Sequence, residues 1–334
     1  MFRQDPCRSR RELFDREEEL NQLVKALKSN VWVAILGPRM AGKTSLAYVG
    51  ANLLEDFSVV YVDLRGTYTM KKAAERILNS LPQSKLESLL ERIKGIRIGK
   101  FGIELKDSSA VDVMERLFSE LHNGIVILDE VQDVIYGVNH FLNLLARIRN
   151  SKRDINFVFT GSSIGLMRSL LEPSPKSPLY GRTPIKIELK PWDFKTAYAF
   201  LEKGLRECNV DYTGSEISET INELGTLPGW LNFYGLRRCL GKSHEKALEE
   251  STTEGVKVAK MELENLLKNR PAWARLVLRS LAFGARWHEM LELGASKAGL
   301  LKFLKTLQNL YLISKEGEVY RISDPIYRRA SREL

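Results

Sequence analysis

The chain of 334 residues has only three cysteines and four histidines. No apolar run approaches the roughly 20 residues that a membrane span requires. Cys7, Cys208 and Cys239 are too few and too scattered for a disulfide framework or a zinc site, so they read as plain thiols. Where a signal peptide would have its apolar stretch, the amino terminus carries Arg3, Asp5, Arg8, Arg10 and Arg11. No membrane partner is expected, and the cytoplasm is the expected location. Internal repeats and low-complexity segments are also lacking, which leaves a globular composition at a length that calls for two or three domains.

What the chain does have is positive charge, unevenly spread. Of the net +9, much lies in residues 256–334, with 15 Lys/Arg against 8 Asp/Glu. Such a surplus marks a basic module facing an acidic partner, or a merely solvated face.

The most specific pattern is at residues 37–44, GPRMAGKT, a match to GxxxxGK[ST]. Before it runs the strand-like Val31 to Leu36, and after it an apolar helix from Thr44 to Leu54. Glycines let such a loop turn its backbone N–H groups inward toward phosphate oxygens, and the helix that follows adds its positive end. Gly37, Pro38, Arg39, Met40, Ala41, Gly42, Lys43, Thr44 and Ser45 are accordingly the candidate phosphate-binding residues. Lys43 would reach the β- and γ-phosphates, and Thr44 would ligate Mg²⁺.

Apolar β-rich runs alternate with helical periodicity through the first 190 residues: Val31 to Leu36, Val59 to Leu64, Ile125 to Leu128, Phe157 to Phe159 and Ile185 to Leu189. The alternation predicts an α/β fold with a parallel sheet covered on both faces. A hairpin insertion is expected at about 95–106, where Ile96, Ile98, Phe101, Ile103 and Leu105 alternate around Gly99-Lys100. Residues 172–184, with four prolines, read as a loop. Helices follow over Phe194 to Glu207, Ser215 to Leu224 and Trp230 to Leu240, which suggests a small helical domain at 192–255. In 256–334 the order is helix (Trp273 to Ala282), helix (Trp287 to Leu293), helix (Ser296 to Leu310) and two strands around Lys315-Glu316-Gly317, the order of a winged helix.

A triphosphatase also needs an acidic site at the end of a buried strand. Ile125-Val126-Ile127-Leu128-Asp129-Glu130 supplies one, with Asp129 as Mg²⁺ partner and Glu130 as candidate water-activating base. The next strand ends in Thr160-Gly161-Ser162-Ser163, so Ser162 would sense a γ-phosphate, or the serines would cap the helix from Ile164 to Leu171. Arg182 stands in the proline-rich loop as a candidate donor to the transferring phosphoryl group, or as a solvated arginine. Near the carboxyl end, Lys302, Lys305 and Asn309 share one helical face opposite Leu300, Phe303, Leu304, Leu307 and Leu310. That polar face suits double-stranded DNA, or a solvated or protein-contacting surface.

Together, the DREEEL segment at 15–20, GPRMAGKT, LDEVQ at 128–132, FTGSS at 159–163, LYGR at 179–182 and GTLP at 225–228 resemble the archaeal ATPases of the STAND group, relatives of AAA+ proteins among the P-loop NTPases. The tail from Tyr320 to Pro325 is similar to the end of that family's winged helix. The resemblance implies three domains: a P-loop ATPase core at 1–191, a helical lid at 192–255 and a winged helix at 256–334. It also implies ATP/ADP and Mg²⁺ as cofactors, Arg16 and Glu17 against the adenine, and Pro228 closing over the nucleotide. The expected function is an ATP-hydrolysing molecular switch that repositions its winged helix. Alternatives are a nucleotide-controlled DNA-binding initiator or repair regulator, and a non-hydrolysing, ADP-bound scaffold. Met40-Ala41 replace the small polar residues of many members, at positions that contribute backbone N–H groups. Some relatives continue into a nuclease-like domain, and no endonuclease activity is expected of a chain that stops at Leu334.

Overall fold

A computed structural model describes residues 1–81, 96–99, 102–105, 110–151 and 154–334. They form two compact units. The first comprises Pro6–Leu36 and Lys43–Leu189; the second comprises Met1–Asp5, Gly37–Gly42 and Lys190–Leu334.

The first unit is built on five parallel strands: β1 (Val33–Leu36), β2 (Ser58–Asp63), β5 (Gly124–Asp129), β6 (Ile155–Gly161) and β7 (Ile185–Glu188), in the spatial order β2-β5-β6-β1-β7. Every residue of β1, β5 and β6 is buried, whereas the edge strands β2 and β7 are partly exposed. That is what continuous apolar runs in the middle of a two-faced parallel sheet require. The helices are α1 (Glu17–Lys28), α2 (Lys43–Asn52), α3 (Met70–Asn79), α4 (Ala110–Glu120), α5 (Val138–Ser151) and α6 (Gly165–Leu171). Their apolar stripes bury residues such as Leu23, Leu46, Ile77, Leu117 and Leu145 in the core. Between α3 and α4, β3 (Ile96–Gly99) and β4 (Gly102–Leu105) pair as an antiparallel hairpin, with Ile96 opposite Leu105. Lys100 and Phe101 of the expected hairpin lie outside the described residues.

Strand limits differ from the sequence reading chiefly at β1 and β6. Val31 donates its N–H back to Ala26 O at 2.9 Å, which keeps it at the end of α1 and delays β1 to Val33. On β6, polar Asn156 and Thr160 extend a strand that apolar residues alone would shorten.

The second unit holds α7 (Phe194–Glu207), α8 (Gly214–Leu224), α9 (Pro228–Cys239), α10 (His244–Leu267), α11 (Ala272–Leu281), α12 (Trp287–Glu292), α13 (Lys297–Asn309) and α14 (Pro325–Arg332). A small antiparallel sheet of β8 (Ala285–Arg286), β9 (Ile313–Glu316) and β10 (Val319–Ile322) runs in the order β8-β10-β9. Local chemistry fixes the helix starts. Asp193, Ser243, Ser296 and Asp324 accept the N–H of the residue three along, and Thr213 with Glu216 forms a capping box. Asp324 also accepts from Trp230 Nε1 at 3.1 Å, joining α14 to α9.

Two sequence expectations are corrected here. The boundary between 192–255 and 256–334 falls inside α10, a continuous 24-residue helix in which Gly255 faces Ile326 of α14. The sequence lacks a break there because the helix continues with buried Val256, Ala259 and Leu263. Second, Cys208 and Cys239 are a disulfide, with Cα atoms 5.4 Å apart, rather than free thiols. Packing of α7 against α9 brings together two carboxyl-terminal helix ends that are 31 residues apart in sequence. Closing a loop of that length restricts the unfolded chain, worth about 3–4 kcal/mol on the chain-entropy estimate. Cys239→Ser, or reduction of the parent chain, is expected to lower the unfolding free energy by that order in a denaturant titration. An unchanged midpoint would show that the bond adds nothing to stability.

Candidate functional site

The carboxyl ends of the parallel strands are where α/β sheets gather ligand-binding groups. In the first unit, α2 begins at Lys43, which is buried, and Thr44 Oγ1 donates to Asp129 Oδ2 at 2.9 Å. Asp129 is the last residue of β5 and only 3% exposed. Its second oxygen, Oδ1, accepts from the hydroxyl of Thr160 on the adjacent strand β6. From β2 on the other side, Tyr61 OH donates to Oδ2 at 2.6 Å. Three adjacent strands and one helix start therefore converge on one carboxylate.

Glu130 follows in a left-handed conformation, φ 56° and ψ 47°, which turns the chain sharply off the strand. Its N–H donates to Thr160 Oγ1 at 3.3 Å, and its carboxylate accepts from Gln132 Nε2. Gln132 fits because residue 161 is glycine: a Cβ there would stand 1.9 Å from Gln132 Oε1. Burial, joined by the Asp129 charge and its hydrogen bond, pushes the Tyr61 phenol well above its ordinary value. Tyr61 thus remains a donor throughout the physiological range, and its ring stacks on Tyr48 with centroids 4.5 Å apart.

The glycine loop itself has the conformations its sequence demands. Gly37, Met40 and Gly42 all have positive φ, and a Cβ on Gly42 would meet no atom within 4 Å. In the second unit this loop lies against α9. Gly229 N donates to Met40 O at 3.0 Å, and the Met40 side chain covers Gly229 so closely that a Cβ there would fall 2.6 Å from its sulfur. Arg39 pairs with Glu262 of α10, which also accepts from Tyr327 OH of α14.

Lys43, Thr44, Asp129 and Glu130 are thus arranged along one edge of the first unit's sheet. Among the hydroxyls of TGSS, Thr160 makes the contact with Asp129, and α6 starts at Ile164 without a side-chain cap, so the capping role considered for Ser162 and Ser163 is not taken up. Arg16 is buried at the start of α1 and bonds Glu19 at 3.0 Å, while Glu17 is exposed and pairs with Arg10. Pro228 is the first residue of α9, next to the Gly229 that touches the loop. Arg182 is the correction. It precedes β7, at the amino-terminal edge of the sheet, and bonds Asn150, whereas Asp129 and Thr160 end their strands at the carboxyl-terminal edge. A short loop leading into a parallel strand necessarily lies at the edge opposite that strand's end, so Arg182 does not join the Asp129 cluster. Tyr61 and Gln132 were missed. Nothing about an isolated Tyr on an edge strand signals a partner 68 residues away.

A phosphate loop feeding a helix, with an acidic strand end bonded to that helix's first hydroxyl, defines an α/β P-loop protein of the ATPase class. The chain belongs to the family described as the ATPase domain predominantly from Archaea, whose profile matches residues 13–232. It is 27% identical over 320 residues to an uncharacterized protein of Methanocaldococcus jannaschii, covering 91% of this chain but 62% of that protein's length. Among solved structures, the Walker-type ATPase paby2304 of Pyrococcus abyssi is similar with a TM-score of 0.81 and 27% identity, covering 99% of each chain. The Aeropyrum pernix ORC2 protein, solved in ADPNP–ADP complexes, shares the fold at a TM-score of 0.63 and 16% identity over 96% of this chain and 93% of that one. Among the described residues no helix is long and apolar enough to cross a membrane.

Tyr61→Phe keeps the stacked ring and removes one donor to Asp129. A hydrogen bond to a carboxylate contributes about 1.5–3 kcal/mol to stability, so the variant is expected to unfold with a free energy lower by that order. A denaturant titration checks this, and superimposable curves for the two proteins would refute it.

Proposed function

We propose that this chain is an ATP-binding and ATP-hydrolysing molecular switch of the STAND type, in which nucleotide state changes the placement of a carboxyl-terminal winged helix. The observation that carries the reading is the 2.9 Å bond between Thr44 and Asp129. It is the oxygen donor pair suited to Mg²⁺, which prefers one or two protein oxygens completed by water and substrate phosphates. Thr44 and Asp129, side by side at the start of α2 and the end of β5, are the residues that would hold the ion. When bound, Mg²⁺ would neutralise charge on the β- and γ-phosphate oxygens.

The remaining chemistry belongs to the chain. Backbone N–H groups of residues 39–45 would face the phosphates, Pro38 having no N–H to offer, and the Lys43 ammonium would neutralise the β- and γ-oxygens. Glu130 accepts a proton from water as the water oxygen attacks the γ-phosphorus and the bridging P–O bond to ADP breaks. Gln132 positions Glu130 for this, and Ser162 senses the γ-phosphate. Arg16 and Glu17 are base-side candidates in the first unit, and Pro228, at the start of α9, is a separate candidate in the second. The coupling is supported by Arg39, whose pairing with Glu262, itself bonded to Tyr327, ties the phosphate loop to the helices of the carboxyl-terminal unit. A phosphate that draws Arg39 away would release Glu262.

Glu130→Gln is expected to retain ATP binding while steady-state turnover falls at least about tenfold. Unchanged turnover would remove Glu130 as the base. No turnover by the parent chain alone, with duplex DNA or with single-stranded DNA would favour the ADP-bound scaffold.

A second reading, nucleotide-controlled binding of double-stranded DNA, is favoured by α13. Lys302 and Lys305 are exposed on it, Asn309 is half-buried, and Leu300, Phe303, Leu304 and Leu307 are buried. Lys302→Glu combined with Lys305→Glu is expected to abolish a low-salt duplex mobility shift and to flatten its salt dependence. An identical shift for the double variant would move any DNA contact off this helix.

A further inference from the structure

At the amino-terminal edge of the sheet, three segments meet because β1 lies between β6 and β7. Trp32 immediately precedes β1, Arg149 and Asn150 lie in the last turn of α5 just before β6, and Gly181 to Thr183 lead into β7. Ile185 N donates to Trp32 O at 2.8 Å, which fixes the incoming loop beside β1. The six residues Trp32, Arg149, Asn150, Gly181, Arg182 and Thr183 line a cavity of about 440 Å³. Among the described residues, two guanidinium groups lie in that lining, and none of its side chains is a carboxylate.

Both arginines are held in place by neighbours that leave their charge intact. The Arg149 guanidinium lies over the Trp32 ring, 5.0 Å from its centroid, and Nη1 donates to Asn30 O at 2.9 Å. Trp32 is in turn fixed by Nε1 donating to Ile155 O at 3.2 Å and by edge contact with Phe157. Arg182 Nη1 donates to Asn150 Oδ1, which leaves the Asn150 NH₂ as a further donor. Burial, and then the Arg182 charge, lower the Arg149 pKa, which records two like charges side by side. Each guanidinium has five N–H donors in a rigid fork, well matched to a tetrahedral oxyanion.

We propose that Arg149 and Arg182, with Asn150 and Thr183, form a binding site for a small phosphate-bearing anion, at the edge of the sheet opposite Lys43 and Asp129. The ligand is selected by charge and oxygen geometry rather than by base stacking, because the Trp32 ring is buried and its face is covered by Arg149. A cavity of about 440 Å³ takes more than one phosphate group, so a diphosphate suits it better than a monophosphate.

Calorimetric titration of inorganic pyrophosphate into the full chain carrying Lys43→Ala, at low ionic strength, tests the site apart from the phosphate loop. One saturable binding event is expected, weakened at least about tenfold by adding the exposed substitution Arg182→Gln and only partly by Arg182→Lys, which keeps the charge but loses the fork. Arg149→Gln should have a similar effect, and Arg182→Gln guards against loss of the Trp32 contact unfolding the protein. Repeating the titration with ADP separates the sources: similar affinity for pyrophosphate and ADP means that the diphosphate alone is read, as proposed. Absence of saturable pyrophosphate binding, or binding indifferent to Arg182→Gln, would overturn the proposal.

Discussion

Asp129 accepts hydrogen bonds from Thr44, Tyr61 and Thr160, so the start of α2 and the strands β2 and β6 are fixed relative to one carboxylate at the end of β5. A buried carboxylate is costly unless its oxygens are satisfied, and here every donor is a neutral hydroxyl. With both oxygens bonded, the carboxylate loses most of its freedom to rotate. Glu130 inherits its position from the same point, since it follows Asp129 directly and its N–H bonds Thr160.

The glycine loop is tied at both ends of its logic. Its last residues open a helix in the sheet unit, and Arg39 and Met40 contact α10 and α9 in the carboxyl-terminal unit. A change in the shape of residues 39 and 40 would alter the bonds to Glu262 and Gly229.

Much of the frame was legible from the sequence because its signals are local. Apolar runs such as Ile125 to Leu128 announce buried parallel strands, caps such as Ser296 announce helix starts, and GPRMAGKT announces the phosphate loop. What escaped depends on distant neighbours. The Cys208–Cys239 bond exists because α7 packs on α9, α10 crosses an expected boundary because Gly255 has Ile326 to pack against, and Tyr61 matters only because β2 lies next to β5. Arg182, expected in the proline-rich loop as a phosphoryl donor or a solvated arginine, lies before β7 and so at the other edge of the sheet.

By itself the sequence determined the element types, the phosphate loop and the acidic strand end, since each is encoded within a few consecutive residues. Tertiary structure alone decided which hydroxyls meet Asp129, which cysteines pair and which arginines share a cavity. Those outcomes follow from strand order and helix packing, in which residues far apart in the chain become neighbours and exchange hydrogen bonds and charge that no local window contains.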